Sequence, residues 1–296
     1  MRGLRMQRVL VTGAAGRIGT VACALLAEHG ARVTALSDVA PPAGFPADRV
    51  VVGDTRSEAD VAAALEGADL VVHLAARPHR TAGTPYEVYT TNVVSTFNVL
   101  AQAAGRGIRR AVVAGSINAY GLPQNDHDLI PAYFPIDEHI PRDISDWYSL
   151  SKHNDESASR MVWRHWGMDV VTLRFPHVNS AAALAQVAQT HADDPRSGLR
   201  EAWSYLDTRD AARAIALGLI ASTTGAHALF LAARTTSAPY RTEDLLDVFA
   251  PDAPRLRRFP GREVPMDLVP SQVLLGFEAH HELELPTLDL PGGLAG

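Results

Sequence analysis

Tyr148 and Lys152 stand four residues apart in the stretch WYSLSKHN, and Lys152 is the only lysine in a chain whose other cationic side chains are all arginines. On a helix, residues i and i+4 share a face, so phenol and ammonium would be neighbours. A free tyrosine, with a pKa of about 10, is a poor base at neutral pH. An adjacent ammonium favours the phenolate and brings the group toward useful acid–base range. Arginine substitutes badly here, because its charge is spread over a wide plane while the compact lysine can also hydrogen-bond a ribose. Ser116, in VVAGSINAYG, supplies a third group: its hydroxyl can hold a substrate oxygen while Tyr148 moves the proton. The chemistry expected of this set is proton transfer at an alcohol. With seven tyrosines in 296 residues, chance alone would produce the Tyr–Lys spacing now and then, so the elements around it have to support the reading.

Those elements alternate. RVLVTGAAG is a β-branched run ending in glycines, TVACALLAEHG has helical periodicity, and ARVTALSD and RVVVGD read as strands. EADVAAALEG is a helix, ADLVVHLAA a fourth strand, YTTNVVSTFNVLAQAAGRG a long helix and IRRAVVAGS a fifth strand ending at Ser116. SLSKHNDESASRMVWRHWG is a helix and MDVVTLRF a strand. Near-continuous apolar strands alternating with helices predict a doubly wound parallel sheet covered on both faces, an α/β fold. After Phe175 prolines and short polar segments dominate, apart from the helix–strand unit TRDAARAIALGLIA and HALFLAA. The expected division is a core of residues 1–175 completed by 207–234, with a small substrate lobe from 176–206 and 235–296.

The first turn, VTGAAGRIG, places Gly13, Gly16 and Gly19 where small residues let backbone N–H groups approach a pyrophosphate at a helix N-terminus, with Arg17 and Ile18 opening that helix. Asp38 closes the second strand about twenty residues on, where a carboxylate can bind a ribose 2′-hydroxyl and would repel a 2′-phosphate. NAD is therefore expected rather than NADP. Asp54, closing the third strand, is a candidate contact to the adenine.

A formal net charge of −6 excludes a general nucleic-acid binder, which would carry a basic stripe. Cys23 is the single cysteine, so no intrachain disulfide forms, and its apolar helical setting predicts a buried thiol. No apolar run is long enough to cross a bilayer and no secretory signal is visible, so a cytoplasmic protein is expected. His127 with Asp126 and Asp128 is read as surface-loop composition, and no metal is expected.

On VTGAAGRIG, Asp38, Asp54, HLAA, Asn92, GSINAYG, YSLSK, LRF, YLDTRDAARAI and MDLVPSQVLLGFEA, the chain resembles an extended short-chain dehydrogenase/reductase of the NAD-dependent epimerase/dehydratase family. The resemblance implies a Rossmann-type sheet with a small C-terminal substrate lobe. It implies Ser116, Tyr148 and Lys152 as the catalytic set. It places Asn92 near the nicotinamide-side backbone and adds cofactor contacts from Ala75, Ala76 and the Pro176–Val178 stretch. It also implies a homodimer through the helices beginning near Thr91 and Ser149.

Departures narrow the choice within the family. Family dehydratases follow the serine with acidic residues, whereas Ile117 and Asn118 follow here, which disfavours dehydration; Asn118 is kept as a substrate contact. UDP-galactose 4-epimerase-like members place an asparagine after the LRF strand, where this chain has His177, and a tail arginine to which Arg262 is similar. Uronate dehydrogenase-like members share in kind an arginine ten residues before the aspartate of the RD helix, which is Arg200 here, suited to a substrate carboxylate. Arg77, His79 and Arg80 after the fourth strand would favour an anion in the same pocket. The expected activity is NAD-dependent oxidation of a hydroxyl on a sugar-like, anionic substrate. A sugar epimerase with a transient keto intermediate is the alternative, and a non-catalytic NAD-sensing protein is a third reading disfavoured by the intact Ser–Tyr–Lys set. The residues 125–146 before Tyr148 include an extra stretch, NDHDLIPAYF, expected to cover the substrate as a lid.

Overall fold

Along β1 (Arg8–Thr12) Val9 and Val11 turn to one face and Leu10 to the other, all three fully buried. That two-residue alternation with both faces apolar is what a strand covered on each side requires. The structure, a computed structural model, describes residues 1–291; residues 292–296 of the expected lobe lie outside the described residues. After β1 come α1 (Arg17–Glu28), β2 (Arg32–Ser37), β3 (Arg49–Val52), α2 (Glu58–Ala64), β4 (Leu70–His73), α3 (Pro85–Gly105) and β5 (Arg110–Ser116). There follow α4 (Trp147–Trp166), β6 (Asp169–Phe175), β7 (His177–Asn179), α5 (Ala181–Asp193), β8 (Tyr205–Asp207), α6 (Thr208–Ile220), β9 (Ala226–Phe230), α7 (Thr242–Phe249) and α8 (Val269–Leu275).

Seven strands form one parallel sheet in the order β3-β2-β1-β4-β5-β6-β9. Val9, Val11, Val33, Val72, Val112 and Val171 pack on α1 and α6, while Leu10, Leu36, Val71, Val113 and Val170 pack on α2, α3 and α4. The doubly wound sheet expected from the sequence is what the chain builds. Cys23 lies on the buried face of α1, and burial pushes its thiol up to about 12, which leaves it an inert core group. The strand order reverses between β1 and β4, and ligands of such sheets sit at the carboxyl ends beside that switch point.

A third apolar cluster joins Tyr120, Phe134, Trp203, Phe230, Tyr240, Phe249 and Phe259. It recruits Phe134, Ile136 and Ile140 from the segment before α4. Backbone hydrogen bonds from Phe134 to Pro254 (2.9 Å) and from Ile136 to Pro265 (3.0 Å) tie that segment to the later chain. Phe134, the last residue of the expected lid NDHDLIPAYF, is therefore core. Two elements after Phe175 differ from the short polar segments the sequence suggested. The 13-residue α5 forms because AAALAQVAQTHAD is rich in strong helix formers and buries Leu184, Ala188 and His191 on one face. The short strands β7 and β8 pair in parallel as a separate two-stranded sheet.

Candidate active site

Asp146 caps α4 by accepting hydrogen bonds from the N–H groups of Tyr148 and Ser149, both at 2.9 Å. The cap starts the helix at Trp147, so Tyr148 and Lys152 rise from its first two turns toward the end of β5. Tyr148 is 6% exposed and Lys152 5%. Lys152 Nζ lies 6.0 Å from the Tyr148 ring centroid and donates to the Ala114 carbonyl on β5 at 2.9 Å. Ser116, the last residue of β5, accepts from both the backbone N and the Nδ2 of Asn118 at 3.1 Å, which leaves its own proton free to donate to Tyr148. The three candidate catalytic groups thus converge. The effect on the phenol differs from the sequence expectation. Burial pushes Tyr148 above its ordinary value and outweighs the pull of Lys152 and Ser116, while Asp155 and Asp146 push it further up. Asn118 supports Ser116, and its Oδ1 is buried with no hydrogen-bond partner, an acceptor available to a ligand.

The glycine turn fits a pyrophosphate. Gly13 has φ +63°, and a Cβ there would come within 2.7 Å of the Ala75 N. A Cβ on Gly19 would meet the Gly13 carbonyl at 2.3 Å, and Gly16 is tight as well. Gly16 is the N-cap of α1 with no side-chain cap, and the first turn has no acidic residue, so its N–H groups are open to an anion. Ile18 packs on the core below. Arg17 donates to the Val178 carbonyl at 3.2 Å, joining the turn to the Pro176–Val178 stretch. Asp38 is exposed just beyond β2. Ala75 and Ala76 follow β4 across the switch point, and Thr12 Oγ1 accepts from the Leu74 and Ala75 N–H groups. Asn92 clamps the loop after β4: its Oδ1 accepts from Arg77 N at 2.7 Å, and its Nδ2 donates to the Arg77 carbonyl and to Ser151 on α4. His177 opens β7 beside this wall. Desolvation and the Arg17 guanidinium hold its imidazole below the usual range.

Several assigned residues are engaged elsewhere. Asp54, expected at an adenine, accepts from Arg56 through Oδ2 (2.6 Å from Nη2, 2.9 Å from Nε) and through Oδ1 (3.1 Å from Nε). The Arg200 guanidinium, expected to meet a substrate carboxylate, donates instead to the carbonyls of Asn125 (2.8 Å) and His127 (2.7 Å) and to Asp128 (3.2 Å). From the other side Arg80 binds the Gln124 carbonyl and Asp126. The two arginines bracket residues 124–128, and Asp126 and Asp128 are their counter-ions. Arg262 is buried and donates to the Thr236 carbonyl (2.8 Å) and the Leu283 carbonyl (3.4 Å), pinning the tail rather than awaiting a phosphate. Arg77 is exposed, with Nη1 on the Ala82 carbonyl.

The sequence reading missed a buried polar set behind Lys152. Asp155 Oδ2 accepts from Lys152 Nζ at 2.9 Å, and both side chains are buried. Thr96, His73 and Thr12 continue from it. The available signal was a carboxylate three residues after the lone lysine, on the same helix face. Glu156 was missed too; it forms a buried pair with Arg174 of the LRF strand at 2.7 and 3.1 Å.

The chain is similar to a uronate dehydrogenase of Pseudomonas putida, 31% identical over 169 residues that cover 56% of this chain and 59% of the relative. It is also similar to a UDP-glucose 4-epimerase of Corynebacterium glutamicum, 30% identical over 179 residues covering 59% of this chain and 52% of the relative. The matched segment thus spans little more than half the length of either relative. A short-chain dehydrogenase/reductase superfamily protein from Agrobacterium tumefaciens, solved with bound NAD, has a TM-score of 0.70 at 24% identity and covers 93% of each chain. Residues 9–228 match the NAD dependent epimerase/dehydratase family, and the chain belongs to that family.

Proposed function

We propose that this enzyme is a dehydrogenase that oxidises a hydroxyl of a sugar-like, anionic substrate, with a uronic acid as the first candidate. The observation that carries the reading is the buried Ser116–Tyr148–Lys152 set at the carboxyl end of β5, across the switch point from the glycine turn. NAD is the cofactor of the family, and when bound it supplies the hydride acceptor. Gly13, Gly16, Gly19 and Arg17 are the residues to hold its pyrophosphate, and Asp38 its ribose. Ser116 orients the substrate hydroxyl, and Tyr148 Oη takes its proton as the carbonyl forms. Lys152 stabilises the phenolate left for that step. Arg77, His177 and the free Oδ1 of Asn118 are the side chains proposed to meet the substrate. With Arg200 and Arg262 engaged, Arg77 is the proposed cationic contact for a carboxylate.

The epimerase alternative is favoured by the similarity to the Corynebacterium glutamicum protein. Incubation with NAD and a panel of uronic acids, sugar phosphates and nucleotide sugars separates the two. Net NADH accumulation is the expected outcome; an epimeric product without NADH would replace this reading with the alternative. We also propose a homodimer through α3 and α4, because Tyr86, Val94, Phe97 and Leu150 leave apolar surface exposed along these helices. Phe97→Asp is expected to sediment as a monomer where the parent is a dimer, and a monomeric parent would reject the proposal.

A further inference from the structure

The lone lysine has a counter-ion. Asp155 lies one helical turn beyond Lys152 on the same face, and its side chain is 1% exposed against 6% for the lysine. A buried carboxylate needs donors on both oxygens. Oδ2 receives Lys152 Nζ at 2.9 Å and Oδ1 receives the Thr96 hydroxyl at 2.7 Å. With Lys152 charged and Asp155 the anion, the remaining bonds run one way. Thr96 has given its proton to Asp155, so its oxygen accepts from His73 Nε2 at 3.1 Å. His73 Nδ1 then accepts from the Thr12 hydroxyl at 2.8 Å. Thr12 Oγ1 in turn accepts the Leu74 and Ala75 N–H groups, at 3.2 and 3.3 Å. Every proton is placed, and a neutral His73 is required. The imidazole is indeed pushed down to about 3, first by burial and then by the Lys152 ammonium.

We propose that Asp155 is a positioning residue for the acid–base pair, fixing the Lys152 ammonium between its own carboxylate and the Ala114 carbonyl and dividing the ammonium's field between itself and Tyr148. The proposal rests on the reading of Tyr148 as the acid–base group. Lys152 stands between an anion and a phenol, so the phenol sees a dipole where an unpaired ammonium would present a full charge. The same chain links that dipole through His73 and Thr12 to the loop after β4 and the turn that begins at Gly13. Burial acts to strip Lys152 of its proton, and Asp155 and the Tyr148 phenolate together outweigh it, leaving the ammonium above its ordinary range.

Other charges are placed so that they do not compete. Asp146, at the N-cap of α4, faces Tyr148 as a second anion, and Ser116 of β5 faces it as a donor. Glu156 of α4 also faces Asp155, but it is paired with Arg174 of β6 at 2.7 Å and approached by Arg142 (3.6 Å) and Arg160 (4.0 Å). α3 presents the neutral Asn92 and Thr96 to this region.

The test is the ionisation of Tyr148 in Asp155→Asn, which keeps the shape and removes the charge. Ultraviolet difference titration of the cofactor-free protein, with the corresponding Tyr148→Phe protein subtracted, reads this phenol directly. The phenolate formed at Tyr148 is itself an anion that holds Lys152 charged in the variant, so the expected result is a shift to lower pH by about one unit, at the low end of what a neighbouring charge produces. An unmoved or upward titration overturns the proposal. Thr96→Val serves if the first variant fails to fold. It keeps the carboxylate but removes one donor, so Asp155 draws the ammonium harder and the phenol should shift upward; no shift there also overturns the proposal. The acid limb of kcat/KM should follow the phenol in each variant. A phenol that moves while that limb stays put would sustain the role of Asp155 and reject Tyr148 as the acid–base group.

Discussion

Replacing Tyr148 by phenylalanine removes one oxygen and little else, because the ring is buried and its packing survives. The groups around that oxygen, Ser116 and Lys152, remain in place. Turnover should fall by about 10²–10⁴-fold, the usual contribution of a general acid–base group. NAD affinity, measured by fluorescence titration, should stay near the parent value. Near-normal turnover would reject the assignment of Tyr148. The elevated phenol has a direct consequence for the reaction: at neutral pH Tyr148 starts protonated, so substrate oxidation runs faster as the pH rises. At the same scale Arg200 shows the limit of matching one residue by spacing. A guanidinium ten residues before Asp210 has the right charge for a carboxylate, but three oxygens of the segment before α4 already occupy its donors.

At the scale of elements, the parts legible in the sequence were those governed by local periodicity. The strands of the parallel sheet declare themselves because both faces are apolar, and the glycine turn because Gly13 and Gly19 have no room for a Cβ. The Tyr–Lys pair was legible for the same reason, since i and i+4 on a helix meet whatever surrounds them. Non-local partners were not legible. That Arg262 would be covered by carbonyls at Thr236 and Leu283, or that His73 and Thr96 would line up with Asp155, depends on elements brought together by the fold. The helix α3 illustrates the boundary case. It begins at Pro85, before the Tyr89 suggested by the pattern, because Thr84 and Glu87 form a reciprocal capping box. The signal T-P-Y-E was present, but it lay in a stretch otherwise read as loop. Phe134, read as part of a lid, was misread because it follows neither period and finds its partners only across the molecule.

Across the whole molecule, two buried imidazoles make stability depend on pH. His73 is held down to about 3 and His191 to about 4, mainly by burial. A histidine lowered in the folded state binds fewer protons there than in the unfolded chain, whose histidines titrate near 6.5. The unfolded state therefore binds more protons below about pH 6.5, and the stability these groups confer is lost as the pH falls toward their folded values. Glu201 opposes them: burial raises it to about 7, so over part of the same range the folded state carries its extra proton. A variant comparison isolates one imidazole from that balance. His191 Nδ1 donates to Ser237 Oγ at 2.8 Å, because Ser237 gives its own proton to the Trp203 carbonyl. His191→Asn keeps a donor near that position and cannot titrate. At pH 7 the variant should be the less stable protein, having lost ring packing in a buried site. Between pH 7 and pH 5 the parent should lose about 2 kcal/mol relative to the variant, which is the cost of denying the unfolded state's proton to a group with a folded pKa near 4. Urea unfolding at the two pH values measures the gap. A difference between parent and variant that stays constant with pH would show that His191 is not held neutral by its burial.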